Sequence, residues 1–186
     1  MAGYTDSTAL IPSIHHSGKF TRNKEIDIPQ LPRTREGTMA INQGKVVRCS
    51  EEIIARANER IQGTFAGVLG MKFTYLAPER VEATLKVRPD LKQPWEIVHG
   101  GAVMTLADTV AGAGAYMNLG QDQETVTVEL KINLIGAVRE GTIRAEALPL
   151  HRGRSTSIWE ARITDDAGEL VAISLSTHLV LDRTSR

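Results

Sequence analysis

A chain of 186 residues with 22 Lys+Arg against 22 Asp+Glu can bury one real core and carries no global basic field of the kind that holds nucleic acid. Its single cysteine, Cys49, makes neither an internal disulfide nor a cysteine-rich metal site, which suits a reducing cytoplasm. No run reaches the length of a membrane span and the first residues lack a basic-then-apolar leader, so a soluble, cytoplasmic protein with no membrane or nucleic-acid partner is expected.

Residues 1–48 mix polar residues with Pro12, Pro29 and Pro32 and hold no sustained period, which predicts an extended arm. The His15-His16 pair within it has no further ligand nearby and reads as a solvated loop, so no metal is expected. A domain over 49–182 follows, with a short tail at 183–186. Ser50 before Glu51-Glu52, then Ile53, Ile54, Ala57 and Ile61, predicts an N-capped amphipathic helix ending near Gly63 and covering an edge or end of a sheet. Residues 71–76 and 81–87 form a strand pair around Pro78, and 88–98, broken by Pro89 and Pro94, form a positioned loop. After His99 a long helix begins at Gly100. Residues 125–134, 142–150, 155–164 and 170–181 then read as four strands in succession, separated by turn signals and joined as antiparallel hairpins.

The long helix organises the rest. Its apolar residues run nearly all the way round, which predicts burial, and Asp108 in its middle is then a costly carboxylate unless it is bonded or used. Thr105 and Thr109 are its candidate neighbours in a purely structural role. Ala102, Ala107, Ala111, Gly112, Ala113, Gly114 and Ala115 leave room for a close partner, expected to be a sheet. At the helix start, Gly100 and Gly101 offer backbone N–H groups to an anion or a developing oxyanion. Donors of this kind together with a carboxylate suggest acyl chemistry. The element order predicts an α+β fold: a curved antiparallel sheet wrapped around one long central helix, with an extra N-terminal helix and arm. A single sheet cannot cover an all-round apolar helix, so a second subunit is expected to supply the rest.

Gln93-Pro94-Trp95-Glu96-Ile97-Val98-His99-Gly100-Gly101, followed by Asp108, resembles the hotdog-fold acyl-CoA thioesterases of the phenylacetate-degradation and 4-hydroxybenzoyl-CoA type. The similarity extends through residues 128–133 and 151–159 to 168–172, within a region of roughly 50–181. The resemblance implies that Asp108 is the catalytic carboxylate, as nucleophile or as general base on water. It puts the Gly100 N–H on the thioester carbonyl, Gln93 on water or substrate, and His99 beside the oxyanion position. Gly101, Trp95, Thr109, Arg152, Arg154 and Ser155 fall at expected substrate-binding positions, the arginines facing coenzyme A phosphates; Trp95 either lines an acyl pocket or caps the core. Glu96 stands where many members have glycine, Gly112 where many have Ser or Thr, and Gln93 is paired with an aspartate.

The expected activity is therefore hydrolysis of acyl-CoA or a related acyl thioester, with no cofactor. A hydratase or dehydratase on the same fold and a non-catalytic acyl-CoA sensor are the alternatives. The resemblance implies a homodimer with shared sites, often paired into a tetramer. Helix phase points the same way: His99 and Asp108 are nine positions apart, and at about 100° per residue they point roughly half a turn apart.

Overall fold

In the computed structural model, residues 51–183 are described; the arm, His15-His16, Cys49 and the Ser50 cap lie outside them. The elements are α1 (Glu51–Ile61), α2 (Phe65–Leu69), β1 (Lys72–Ala77), β2 (Arg80–Lys86), α3 (Gly100–Met117), β3 (Gln123–Leu134), β4 (Thr142–Arg152), β5 (Thr156–Thr164) and β6 (Leu170–Asp182). One antiparallel six-stranded sheet has the order β1-β2-β4-β5-β6-β3. Helix α3 contacts every strand, so the expected hotdog arrangement is present. None of the described helices is long and apolar enough to cross a membrane.

The alternation in each strand builds the core. Val81, Ala83 and Leu85 of β2, Ile143, Ala145 and Ala147 of β4, and Trp159, Ala161 and Ile163 of β5 all turn inward and are fully buried. Against them α3 presents Val103, Leu106, Ala107, Val110 and Ala111. Burial of this apolar surface stabilises the fold by roughly 25 cal/mol per Å² removed from water. Helix α1 does cover a sheet edge. The Asn58 amide clamps the β1 backbone at Phe73, donating Nδ2–H to its carbonyl at 2.9 Å and accepting from its N–H at 2.7 Å, which occupies groups that an open edge strand leaves free. The short helix α2, whose five residues carry no long apolar period, is not legible in the sequence.

One expectation needs correction. Strand β3 does not form a hairpin with β4: it pairs with β6 at the far edge, and β4 lies between β2 and β5. Residues 135–141 make the crossing, tied to β6 by Ile135 and Gly136 N–H groups on the Val171 carbonyl (2.8 and 2.9 Å) and to the loop before α3 by Val98 N–H on Val138 O (2.8 Å). That link is longer than the two to five residues of most hairpin loops. Within the single chain, the sheet covers one side of helix α3 and leaves the other open, as expected of one sheet. Its inner stripe is Ala102, Val103, Leu106, Ala107, Val110, Ala111, Gly114 and Ala115, while Met104 is exposed and Thr105, Asp108, Thr109 and Gly112 are half-buried. Alanine and threonine on the outer face gave the sequence its uniformly apolar look.

Candidate active site

The loop before α3 sets the position of the helix start. A 3-10 turn at Pro89–Leu91 is followed by a narrow reversal in which Gln93 N–H donates to Ile97 O and Glu96 N–H to Gln93 O, both at 2.9 Å. Glu96 closes the reversal with φ +63°, and it is the one non-glycine residue with positive φ among the described residues. A side chain there costs about 1–2 kcal/mol, held by the surrounding hydrogen bonds. Trp95 is 73% exposed, so in this chain it does not cap the core; its carbonyl accepts from Arg139 at 3.0 Å. Gln93 is half-buried.

His99 is the N-cap of α3, and its Nδ1 accepts from the Gly101 N–H at 2.9 Å. The two glycine donors at the helix start are in different states. Gly101 is satisfied by the cap, which requires Nδ1 without a proton and puts the ring proton on Nε2. The Gly100 N–H has no acceptor among the described residues and lies at the positive end of an 18-residue helix. A Cβ at Gly100 would sit 2.6 Å from Leu134 Cδ1, the end of an exposed side chain that would have to turn aside. The end of β3 is packed that closely against the helix start.

Asp108 is half-buried on the outer face of α3. Its Oδ1 accepts from the Thr127 hydroxyl at 3.0 Å. Thr105 and Thr109, its expected partners, turn back on their own helix and donate to Gly101 O (2.9 Å) and Thr105 O (2.7 Å). No Lys or Arg forms an ion pair with Asp108 among the described residues. The carboxylate is thus oriented but not neutralised, which leaves its basicity available.

Behind Thr127 lies a residue that the sequence did not single out. His178 on β6 is fully buried, with Nδ1 3.4 Å from Thr127 Oγ1 and Nε2 2.9 Å from Ser176 Oγ. Burial pushes its pKa below the usual 6.5, against a smaller upward pull from the Asp108 charge. The remaining expected residues sit elsewhere. Arg152, at the end of β4, donates to Asn118 Oδ1 at 3.2 Å, where Asn118 caps the C-terminus of α3. Arg154 and Ser155 are exposed on the β4–β5 turn, with Ser155 O accepting from Val180 N–H at 2.8 Å. Arg152 and Gly100 therefore mark opposite ends of α3, with Asp108 between them. No cluster of His, Cys, Asp and Glu able to hold a metal occurs among the described residues.

Comparison with known proteins bears on this geometry. The sequence profile of the thioesterase superfamily matches residues 96–172, from the Glu96 reversal through α3 into β6. The chain is 32% identical over 120 residues to 1,4-dihydroxy-2-naphthoyl-CoA hydrolase of Escherichia coli (strain K12), covering 64% of this chain and 88% of that one. It is 35% identical over 119 residues to the proofreading thioesterase EntH of Cronobacter turicensis, covering 63% and 87%. The crystal structure of thioesterase HI1161 from Haemophilus influenzae matches with a TM-score of 0.69 at 24% identity, over 72% of this chain and 93% of that one, a likeness of fold.

Proposed function

Because the chain belongs to the thioesterase superfamily, we propose that it hydrolyses acyl-CoA thioesters at a site built from Asp108 and the Gly100 N–H. The observation that carries this reading is a carboxylate held by one hydroxyl and paired with no cation, on the same helix whose first N–H is free. Asp108 attacks the thioester carbon or takes a proton from the water that does. The Gly100 N–H and the α3 dipole receive the charge that builds on the carbonyl oxygen. The C–S bond breaks, coenzyme A leaves as a thiol, and the acyl group leaves as the acid. Gln93 orients water or substrate, and Arg152 and Arg154 receive the nucleotide phosphates.

One helix cannot supply both halves to one thioester. Gly100 and Asp108 are separated by eight residues of α3, which is about 12 Å of helix rise, whereas a nucleophile and an oxyanion donor must both lie about 3 Å from the reacting carbonyl. Two copies related by a two-fold axis place the helix start of one beside the carboxylate of the other, making two sites per dimer. The surface offers such a contact: edge strand β3 exposes Val126 and Val128, 41% and 57% accessible. The non-catalytic alternative keeps the groove but has no use for an oriented, unpaired carboxylate.

Asp108→Asn keeps the shape and the Thr127 hydrogen bond but removes the basicity. It should cut turnover about a hundredfold or more on the best of a panel of short, medium, long and aromatic acyl-CoAs. Mixed by subunit exchange with a variant whose Gly100-Gly101 turn is disrupted, it should regain part of the activity, because some mixed dimers hold one intact site. Near wild-type hydrolysis by Asp108→Asn would sink the catalytic assignment. No recovery despite demonstrated exchange would sink the shared site.

A further inference from the structure

The polar chain behind Asp108 has a direction that follows from proton counting. An ionised Asp108 only accepts, so the single Thr127 hydroxyl proton points at Oδ1 (3.0 Å). Thr127 Oγ1 then has only lone pairs for His178, so Nδ1 at 3.4 Å carries the ring proton and donates it. Nε2 is left bare and accepts the Ser176 hydroxyl at 2.9 Å. Every proton in the row is placed by the next group, and a neutral, desolvated His178 is the state that fits.

The backbone is shaped for this contact. Thr127 is the direct cross-strand partner of His178, and the β3–β6 register breaks immediately afterwards, between Thr127 and Glu129. Leu130 and Ile132 pair with the inward-facing Ser176 and Ser174, so unbroken alternation would turn Val128 inward. The bulge instead sets Thr127, itself still exposed, opposite His178 and beside Asp108, and leaves Val128 57% exposed. Bulges of this kind re-aim side chains beside functional sites. A row of Ser174, Ser176 and His178 is also a costly way to fill an interior that apolar residues would fill more cheaply; the Ser174 hydroxyl, next along the strand, has no partner among the described residues.

We propose that Thr127 and His178 are positioning residues for Asp108: His178 fixes the orientation of the Thr127 hydroxyl, and that hydroxyl holds the carboxylate in its reactive rotamer. This rests on the reading of Asp108 as the catalytic group. His178 acts only through Thr127, and the double mutant exposes that dependence.

The test uses the full chain and the best acyl-CoA substrate found for it. Thr127→Ser, which keeps the hydroxyl, should retain nearly full kcat. Thr127→Val should lose roughly tenfold to a hundredfold in kcat, the worth of a hydrogen bond to a charged group, with little change in KM. His178→Leu should fall in the same direction, and His178→Asn, whose amide N–H stands near the place of Nδ1–H, should recover most of the loss. The Thr127→Val, His178→Leu double variant should be no worse than Thr127→Val alone. Losses that multiply in the double variant, or a fully active Thr127→Val beside an inactive Asp108→Asn, overturn the relay and leave the proposed function standing. An active Asp108→Asn overturns the proposed function itself. Should His178→Leu not fold, the Thr127 pair and His178→Asn decide the matter.

Discussion

Gly112 and Gly114 lie one step apart along α3 and answer differently to the same added methyl group. At Gly112 an alanine Cβ would have only His178 Cε1 nearby, at 4.0 Å, an ordinary contact; at Gly114 it would fall 2.9 Å from Trp159 Cε3 and closer still to Cζ3 and Cη2. The indole is fully buried and cannot swing away. Both substitutions gain about 1 kcal/mol of helix propensity, so the gain cancels when the two variants are compared. What remains is the overpacking against Trp159, about 1–3 kcal/mol. Urea unfolding at one fixed protein concentration, which removes any difference in assembly, should therefore place Gly114→Ala below Gly112→Ala by that amount. Adding Trp159→Phe to Gly114→Ala should return part of the loss, a coupling expected only of residues in contact. If Gly114→Ala proves as stable as Gly112→Ala, the close seating of helix on indole is wrong.

Two further outcomes test the site. Arg154→Ala should raise KM for acyl-CoA several-fold with kcat little changed, and should leave a short acyl thioester without the nucleotide unaffected; equal losses on both substrates would refute a phosphate contact. The folded-state pKa of His178 lies below its ordinary value of 6.5, so the unfolded chain binds the extra proton first. Its contribution to stability is complete above about pH 6.5 and is lost as the pH falls from there toward the depressed folded value. Denaturation between pH 5 and 7.5 should show a steeper acid loss for wild type than for His178→Asn, and identical slopes would refute it.

Much of the fold is legible in the sequence because its signals are local. The glycine pair, the helix after it, the alternation of β2, β4 and β5, and Asp108 as the one charge in α3 all lie within short windows. Strand partners are not local, which is why β3 reads as a neighbour of β4 when it belongs beside β6. The relay is hidden for the same reason and for a second one. In Ser174-Leu175-Ser176-Thr177-His178, alternation suggests that the serines and the histidine face water, yet these three are buried and Leu175 is 41% exposed. The open face of α3 was obscured because a helix of alanine, glycine and threonine shows no clear polar stripe. His99 as a cap was not legible because histidine is not among the usual N-cap residues.

The bulge in β3 links the two proposals made for this chain. With Val128 kept and the register regular, Val128 would pair with His178 where the Thr127 hydroxyl now donates, and Asp108 would lose its one side-chain donor. The same irregularity turns Val128 outward beside Val126, and these are the apolar side chains that make β3 a surface for a second copy. An oriented carboxylate is of use only if an oxyanion donor reaches the same carbonyl. The nearest free donor on its own helix is about 12 Å away along the axis. Exposure of the edge that brings in a partner's helix start therefore goes with the extra residue, Val128, beside the Thr127 that orients Asp108. A variant that lacks Val128 keeps Thr127 opposite His178, so it should lose assembly and, through the shared site, turnover, whereas Thr127→Val should lose turnover and keep assembly.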